Sequence, residues 1–154
     1  MDNETKKKRL ASYVTLRTEV ENLEERLSRL ESEAEMPAVR MGDGSKHTGG
    51  SGDRMERAVL RLMEYKEKNL PKIQAARRKM DAIEDAIDAL IDPLERACLR
   101  IRFLDGEGSR LVKWDKVAVA IYGSDDEKNV RAIHRLKDFA LNNINLDELE
   151  ELEQ

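Results

Sequence analysis

Lys128, Asn129, Arg131, Ala132 and Arg135 lie within eight residues of one another on the polar side of a short amphipathic segment. Their types are those that read or hold a nucleic acid. Asn pairs bidentately with adenine and Arg with guanine at base edges of the major groove, while Lys and Ser mostly position on phosphates. On that chemistry Asn129, Arg131 and Arg135 are candidate base readers, with Ala132 on the same face. Ser124, Lys128, Lys113 and Lys116 are candidate backbone contacts. Any amphipathic helix also shows such a face to water. The meaning of these residues therefore depends on the elements that carry them.

Those elements read as a three-helix head between Asp92 and Ile144. Asp92-Pro93 supplies a cap residue and a proline at the first helical position. Leu94, Ala97, Cys98, Ile101 and Leu104 then form an apolar face, and Asp105-Gly106 ends the helix. A second short helix turns Trp114, Val117, Ala118 and Ile121 inward, and Gly123-Ser124 makes the turn. The third helix carries Val130, Ile133, Leu136 or Lys137, Ala140 and Ile144 along its buried side. Asp125, Asp126 and Glu127 precede it, where acidic groups suit the positive end of a helix dipole.

Ahead of the head, two long stripes repeat at alternating three- and four-residue steps. The first is Tyr13, Leu16, Val20, Leu23, Leu27, Leu30 and Ala34, closed by Pro37. The second runs from Met55 through Val59, Leu62, Lys66, Asn69, Ile73, Ala76, Met80, Ile83 and Ile87 to Leu90. Asp53 is placed to cap it, with Glu56 at capping-box spacing. Lys66 and Asn69 interrupt the second stripe, and Pro71 should kink or split that helix. Residues 37–53 are rich in glycine without an apolar period, as a linker is. Gly44, Ser45 and Lys46 sit together there, but the Gly-Lys-Ser/Thr order of a phosphate loop is missing. The expected fold is all-α: a long antiparallel, coiled-coil-like helical hairpin over residues 1–91, a helix-turn-helix head over 92–146 and an acidic tail over 147–154. The stripes would pair equally well between chains, so a homo-oligomer through the long helices is an open alternative.

Composition narrows the class of function. Charged residues make up 39% and aromatics 4% of the chain, which argues for helices burying a narrow stripe over a large globular core. A net charge of −4 argues against coating nucleic acid through bulk charge alone, so any DNA contact must come from a local face. The single Cys98 rules out an internal disulfide and suits a reducing compartment. No run is apolar enough to span a membrane, and the charged N-terminus lacks a signal-peptide core. A cytoplasmic protein is expected.

The head also carries a resemblance. The order L-x-x-x-x-L-x-x-R-F, D-G, W-x-x-V-A-x-x-I-Y and V-R-x-I-H-x-x-x-x-x-A-L is similar to region four of bacterial sigma factors. It resembles more closely the phage-encoded ArpU/RinA-like late transcription regulators. The residues that carry it are Leu94, Leu99, Arg102, Phe103, Asp105, Gly106, Trp114, Val117, Ala118, Ile121, Tyr122, Val130, Arg131, Ile133, His134, Ala140 and Leu141. The segments EGSRLVK after Gly106 and GSDDEKN after Tyr122 are longer than the family's turns. The resemblance implies a phage or prophage regulator in a bacterial cell, with the third helix in the major groove. Its implied partners are double-stranded DNA and RNA polymerase.

Other chemistry is thin. His134 lies beside the buried stripe, where a packing role outweighs metal ligation, and His47 and Cys98 are not at ligand spacing. Cys98 falls on an apolar face as a small core residue, and Trp114 reads as the anchor of the head. There are no paired carboxylates in an apolar setting, no nucleophile–base pattern and no cofactor fingerprint, so no enzyme is expected. Two further readings stay open. One is a small-terminase-like DNA binder of phage packaging, and the other is a helical adaptor that does not bind DNA.

Overall fold

Apolar side chains spaced three and four apart build the two long helices that begin the chain. A computed structural model describes residues 1–35 and 50–154. Helix α1 spans Asn3–Glu35 and α2 spans Gly50–Asp88. Shorter elements follow: α3 (Pro93–Leu99), a π-helical turn (Arg100–Leu104), α4 (Trp114–Tyr122), α5 (Glu127–Asn143) and α6 (Asp147–Leu152). The all-α class, with a long packed helix pair ahead of short helices, is as the sequence predicts.

The chain divides into two units, Met1–Thr18 with Ala76–Gln154, and Glu19–Ala75. In the second unit Val20, Leu30, Ala58 and Ile73 are buried. The Tyr65 hydroxyl donates to the Leu23 carbonyl at 2.9 Å, so the helices are pinned by a polar contact as well as by the stripe. The interruptions in the stripe have local solutions. Lys66 reaches Glu31 at 3.9 Å, and the buried Asn69 donates to the Tyr65 carbonyl at 3.1 Å. Pro71 does not split the helix, which continues to Asp88. Its ring removes one backbone donor, a loss that 39 residues of otherwise regular helix absorb.

Two other expectations shift. Helix α2 starts at Gly50, so Asp53 lies in its first turn, near the positive dipole end, and does not cap it. The end of the expected linker is thus helix, and Gly44, Ser45 and Lys46 lie outside the described residues. Met55 and Val59 are exposed, because a stripe stays dry only where a partner covers it.

The first unit holds the larger core. Leu10, Val14, Ile83, Ile87, Leu99, Phe103, Leu141 and Leu149 are among its buried members. The Tyr13 hydroxyl donates to Glu84 at 3.0 Å, and burial, reinforced by that carboxylate, pushes its pKa up to about 12. Helix α1 holds the other elements through two cations. Lys6 donates to the Leu141 and Ile144 carbonyls at 2.7 and 3.0 Å, satisfying the last turn of α5. Arg17 donates to the carbonyls of Leu104 (2.7 Å), Gly106 and Gly108 (2.9 Å), which fixes the loop after the π-helical turn. Gly106 is needed there because a Cβ would stand 1.9 Å from the Arg110 carbonyl oxygen.

The acidic end is an ordered part of this unit. Residues 147–152 form α6, with Leu146 and Leu149 buried and Arg9 paired to Glu153 at 3.4 Å. Among the described residues no helix is long and apolar enough to cross a membrane.

Candidate nucleic-acid interface

The head begins as expected, with Pro93 at the helix start and Asp92 accepting from the Leu94 amide at 2.9 Å. Its inward face is rotated from the expected one. Leu94 is 49% exposed, while Glu95, Cys98 and Leu99 are buried. Glu95 can be buried because Asn143 of α5 donates to its carboxylate at 2.9 Å. Partnered this way, a polar residue takes the place that hydrophobicity alone assigns to Leu94.

Helices α3, α4 and α5 close over a small core of Cys98, Val117, Ala118 and Ile133, with Ile101, Trp114, Ile121, Val130 and Leu136 against it. The sequence places each of these inward, Leu136 as an alternative to Lys137, and Val112 joins them without having been expected. Burial raises the Cys98 thiol pKa to about 12, so it is a packing group and not a nucleophile at neutral pH. Trp114 is half-buried and sits 5.4 Å from the His134 ring and 6.5 Å, edge to face, from Phe103. Among the described residues no three His, Cys, Asp or Glu side chains gather as a metal site would require.

The turn between α4 and α5 is built from a small set of residues. Gly123 takes the left-handed conformation, φ 89°, and its amide donates to Val119 at 2.9 Å, which stops α4. Asp126 caps α5 by accepting from the Asn129 amide at 2.9 Å, as the acidic turn predicts. The Ser124 hydroxyl donates to Asp126 at 3.1 Å, and the Asn129 side-chain amide donates to the Ser124 hydroxyl at 2.7 Å and carbonyl at 3.3 Å. Two predicted contact residues are therefore bonded to each other. Adenine pairing draws on that same amide group, so a base competes with Ser124 for its two N–H donors.

The remaining predicted residues stand outward. Lys113, Lys116, Lys128, Arg131 and Arg135 are exposed, and Ala132 is half-buried between them and the core. Arg131 donates to the Glu127 carbonyl at 3.4 Å and lies 3.8 Å from its carboxylate, a pairing that water screens. Lys113, Lys116, Lys128 and Arg135 have no carboxylate partner among the described residues. Asp115, Asp125, Asp126 and Glu127 are exposed on the same elements and offset much of the positive field.

Phe139 was not singled out in the sequence, although it belongs to this face. It is 61% exposed and stands one turn beyond Arg135, at the i,i+4 spacing that makes neighbours on a helix. That spacing was the available signal. In comparison with known proteins, the chain matches no family model, no curated protein and no solved structure.

Proposed function

We propose that this protein is a sequence-specific, DNA-binding transcription regulator of phage or prophage type, reading the major groove with α5. One observation supports it most. Lys113, Lys116, Lys128, Arg131 and Arg135 face water from α4, α5 and the α4 entrance, while Val117, Ala118 and Ile133 hold the opposite faces in the core. In a helix-turn-helix the recognition helix offers its outer face to the groove while its far side packs in the domain, and α5 is packed in this way. In this reading Arg131 and Arg135 meet base edges, and Lys113, Lys116 and Lys128 hold phosphates. Ser124 and Asn129 set the angle of α5 before they touch DNA. RNA polymerase is the protein partner that the sigma-like resemblance implies.

Selection of bound duplexes from a random-sequence library tests this directly. A defined motif should be enriched. Arg131→Ala and Arg135→Ala should each weaken that site by about 1–3 kcal/mol. Lys113→Ala and Lys116→Ala should weaken all duplexes alike and lower the salt slope by about 1 each. No enriched motif, or unchanged affinity in both arginine variants, overturns the reading.

A second reading has its own support. The exposed Phe139 beside Arg135, and the near balance of charge around the turn, suit a helical adaptor that docks a protein on the outer face of α5. Phe139→Ala distinguishes the two, since it leaves phosphate contacts intact and removes the apolar anchor of a protein interface.

A further inference from the structure

A cavity of about 280 Å³ opens within the first unit, and neither Arg131 nor Arg135 lines it. Lys7 and Lys8 of α1, Arg102 and Phe103 of the π-helical turn, Trp114 of α4 and Lys137 of α5 line it. Its walls combine two features that a packing gap does not need. One is the edge-to-face pair of Phe103 and Trp114. The other is a ring of cations held close to those rings. The Arg102 guanidinium lies 4.6 Å and the Lys137 ammonium 5.7 Å from the Trp114 centroid.

Negative partners are few. Lys7 bonds Glu4 at 2.7 Å and Lys137 lies 3.3 Å from Asp138, but Lys8 and Arg102 have no carboxylate partner among the described residues. Arg102 spends one donor on the Val112 carbonyl at 2.6 Å, while its Nε is buried with no acceptor. That buried atom lies out of a ligand's reach, so what Arg102 offers the cavity is the charge of its guanidinium. The field is felt nearby: burial first, and then Lys137, lowers the pKa of His134.

We propose that this cavity binds a small organic anion, a single planar apolar ring carrying one carboxylate or phosphate group. The ring packs against Phe103 and Trp114, and the anionic group answers Lys8, Lys137 and Arg102. Ligand pockets commonly run from about 300 Å³ upward, so this one holds one ring and its charged group and little more. Lys8, Trp114 and Lys137 come from α1, α4 and α5, so a bound anion of this kind contacts all three helices.

Trp114 is the only tryptophan, so its emission reports on occupancy. The full chain is titrated with benzoate, phenyl phosphate, benzamide and inorganic phosphate. Benzoate or phenyl phosphate should change the emission saturably, and the tighter of the two identifies the anionic group. Benzamide, which keeps the ring and loses the charge, should bind at least about tenfold more weakly. Inorganic phosphate, which keeps charge and loses the ring, should also be weaker. Lys8→Ala, at an exposed position, and Lys137→Gln should each weaken the preferred anion by about three- to tenfold, with thermal melts confirming that both variants fold. The proposal is overturned by no saturable change up to about 10 mM of either ring anion, a generous limit for so small a ligand. Equal binding of benzamide and benzoate overturns it, as does inorganic phosphate matching phenyl phosphate or both folded variants binding like the parent. These probes address the cavity and not the outer face of α5, so the result is separate from that of DNA selection.

Discussion

The two sides of α5 use the same residue types in opposite ways. On the outer side Lys128, Arg131 and Arg135 stand in water with at most a screened partner. On the inner side Lys6 and Arg17 are tied to backbone carbonyls, and Arg102 and Lys137 lie against Trp114. Outer cations contribute almost nothing to stability and remain available to a ligand. Lys6 and Arg17 replace water on carbonyls that are mostly part-buried, so their removal is felt by the whole unit, whereas Arg102 and Lys137 border the cavity. Arg and Lys are thus informative about function only once their surroundings are known.

The largest effect that separates the two sides should come from Gly106→Ala. Its new Cβ would meet the Arg110 backbone and displace the loop held by Arg17, so we expect a loss of roughly 3 kcal/mol or more in denaturant unfolding. Next is Arg17→Ala, which leaves the Leu104, Gly106 and Gly108 carbonyls without their charged donor and should cost about 1.5–3 kcal/mol. Asp126→Ala lies at the border of the two sides. Loss of the α5 cap should cost about 1 kcal/mol by the same measurement and also free Ser124 from its bond to Asp126.

A smaller effect concerns pH. Burial holds the His134 pKa below its ordinary value of 6.5, so the unfolded chain binds a proton more readily than the folded one. Its contribution to stability is full above about pH 6.5, declines as pH falls through that value, and levels off below the folded pKa. The Tm should fall accordingly between about pH 7 and 5, and His134→Gln should flatten that part of the curve. The smallest effect is on the outer side, where Arg135→Ala should change stability by less than about 0.5 kcal/mol. A larger loss would mean that the outer and inner cations do not differ as described.

Much of this arrangement was legible in the residues. The stripes through Val20, Leu30, Ile73, Ile83 and Ile87 are buried, and Val117, Ala118 and Ile133 face the head's core as their spacing requires. Asp92-Pro93, Gly123 and Asp126 act as the local signals indicate, because caps and left-handed turns depend on near neighbours. Glu95 was illegible because its burial depends on Asn143, far along the chain. The role of Lys6 was hidden for the same reason. The acidic tail shows only its charge in the sequence, and the burial of Leu146 and Leu149 makes a docked helix of it. The candidate site divides along the same line. The exposure of Arg131 and Arg135 follows from helical period, whereas the bond from Asn129 to Ser124 needs the shape of the turn.

By itself, then, the sequence determined which residues share a face, where the short helices start, and that cations cluster on the polar side of α5. Periodicity and capping carry that information because they act within about one or two helical turns. Tertiary structure decided which carbonyls Lys6 and Arg17 reach, that Glu95 is buried in place of Leu94, and that Arg102, Lys137 and two α1 lysines converge on Phe103 and Trp114. Those outcomes depend on side chains brought together from distant parts of the chain, and no local pattern specifies which distant group will arrive.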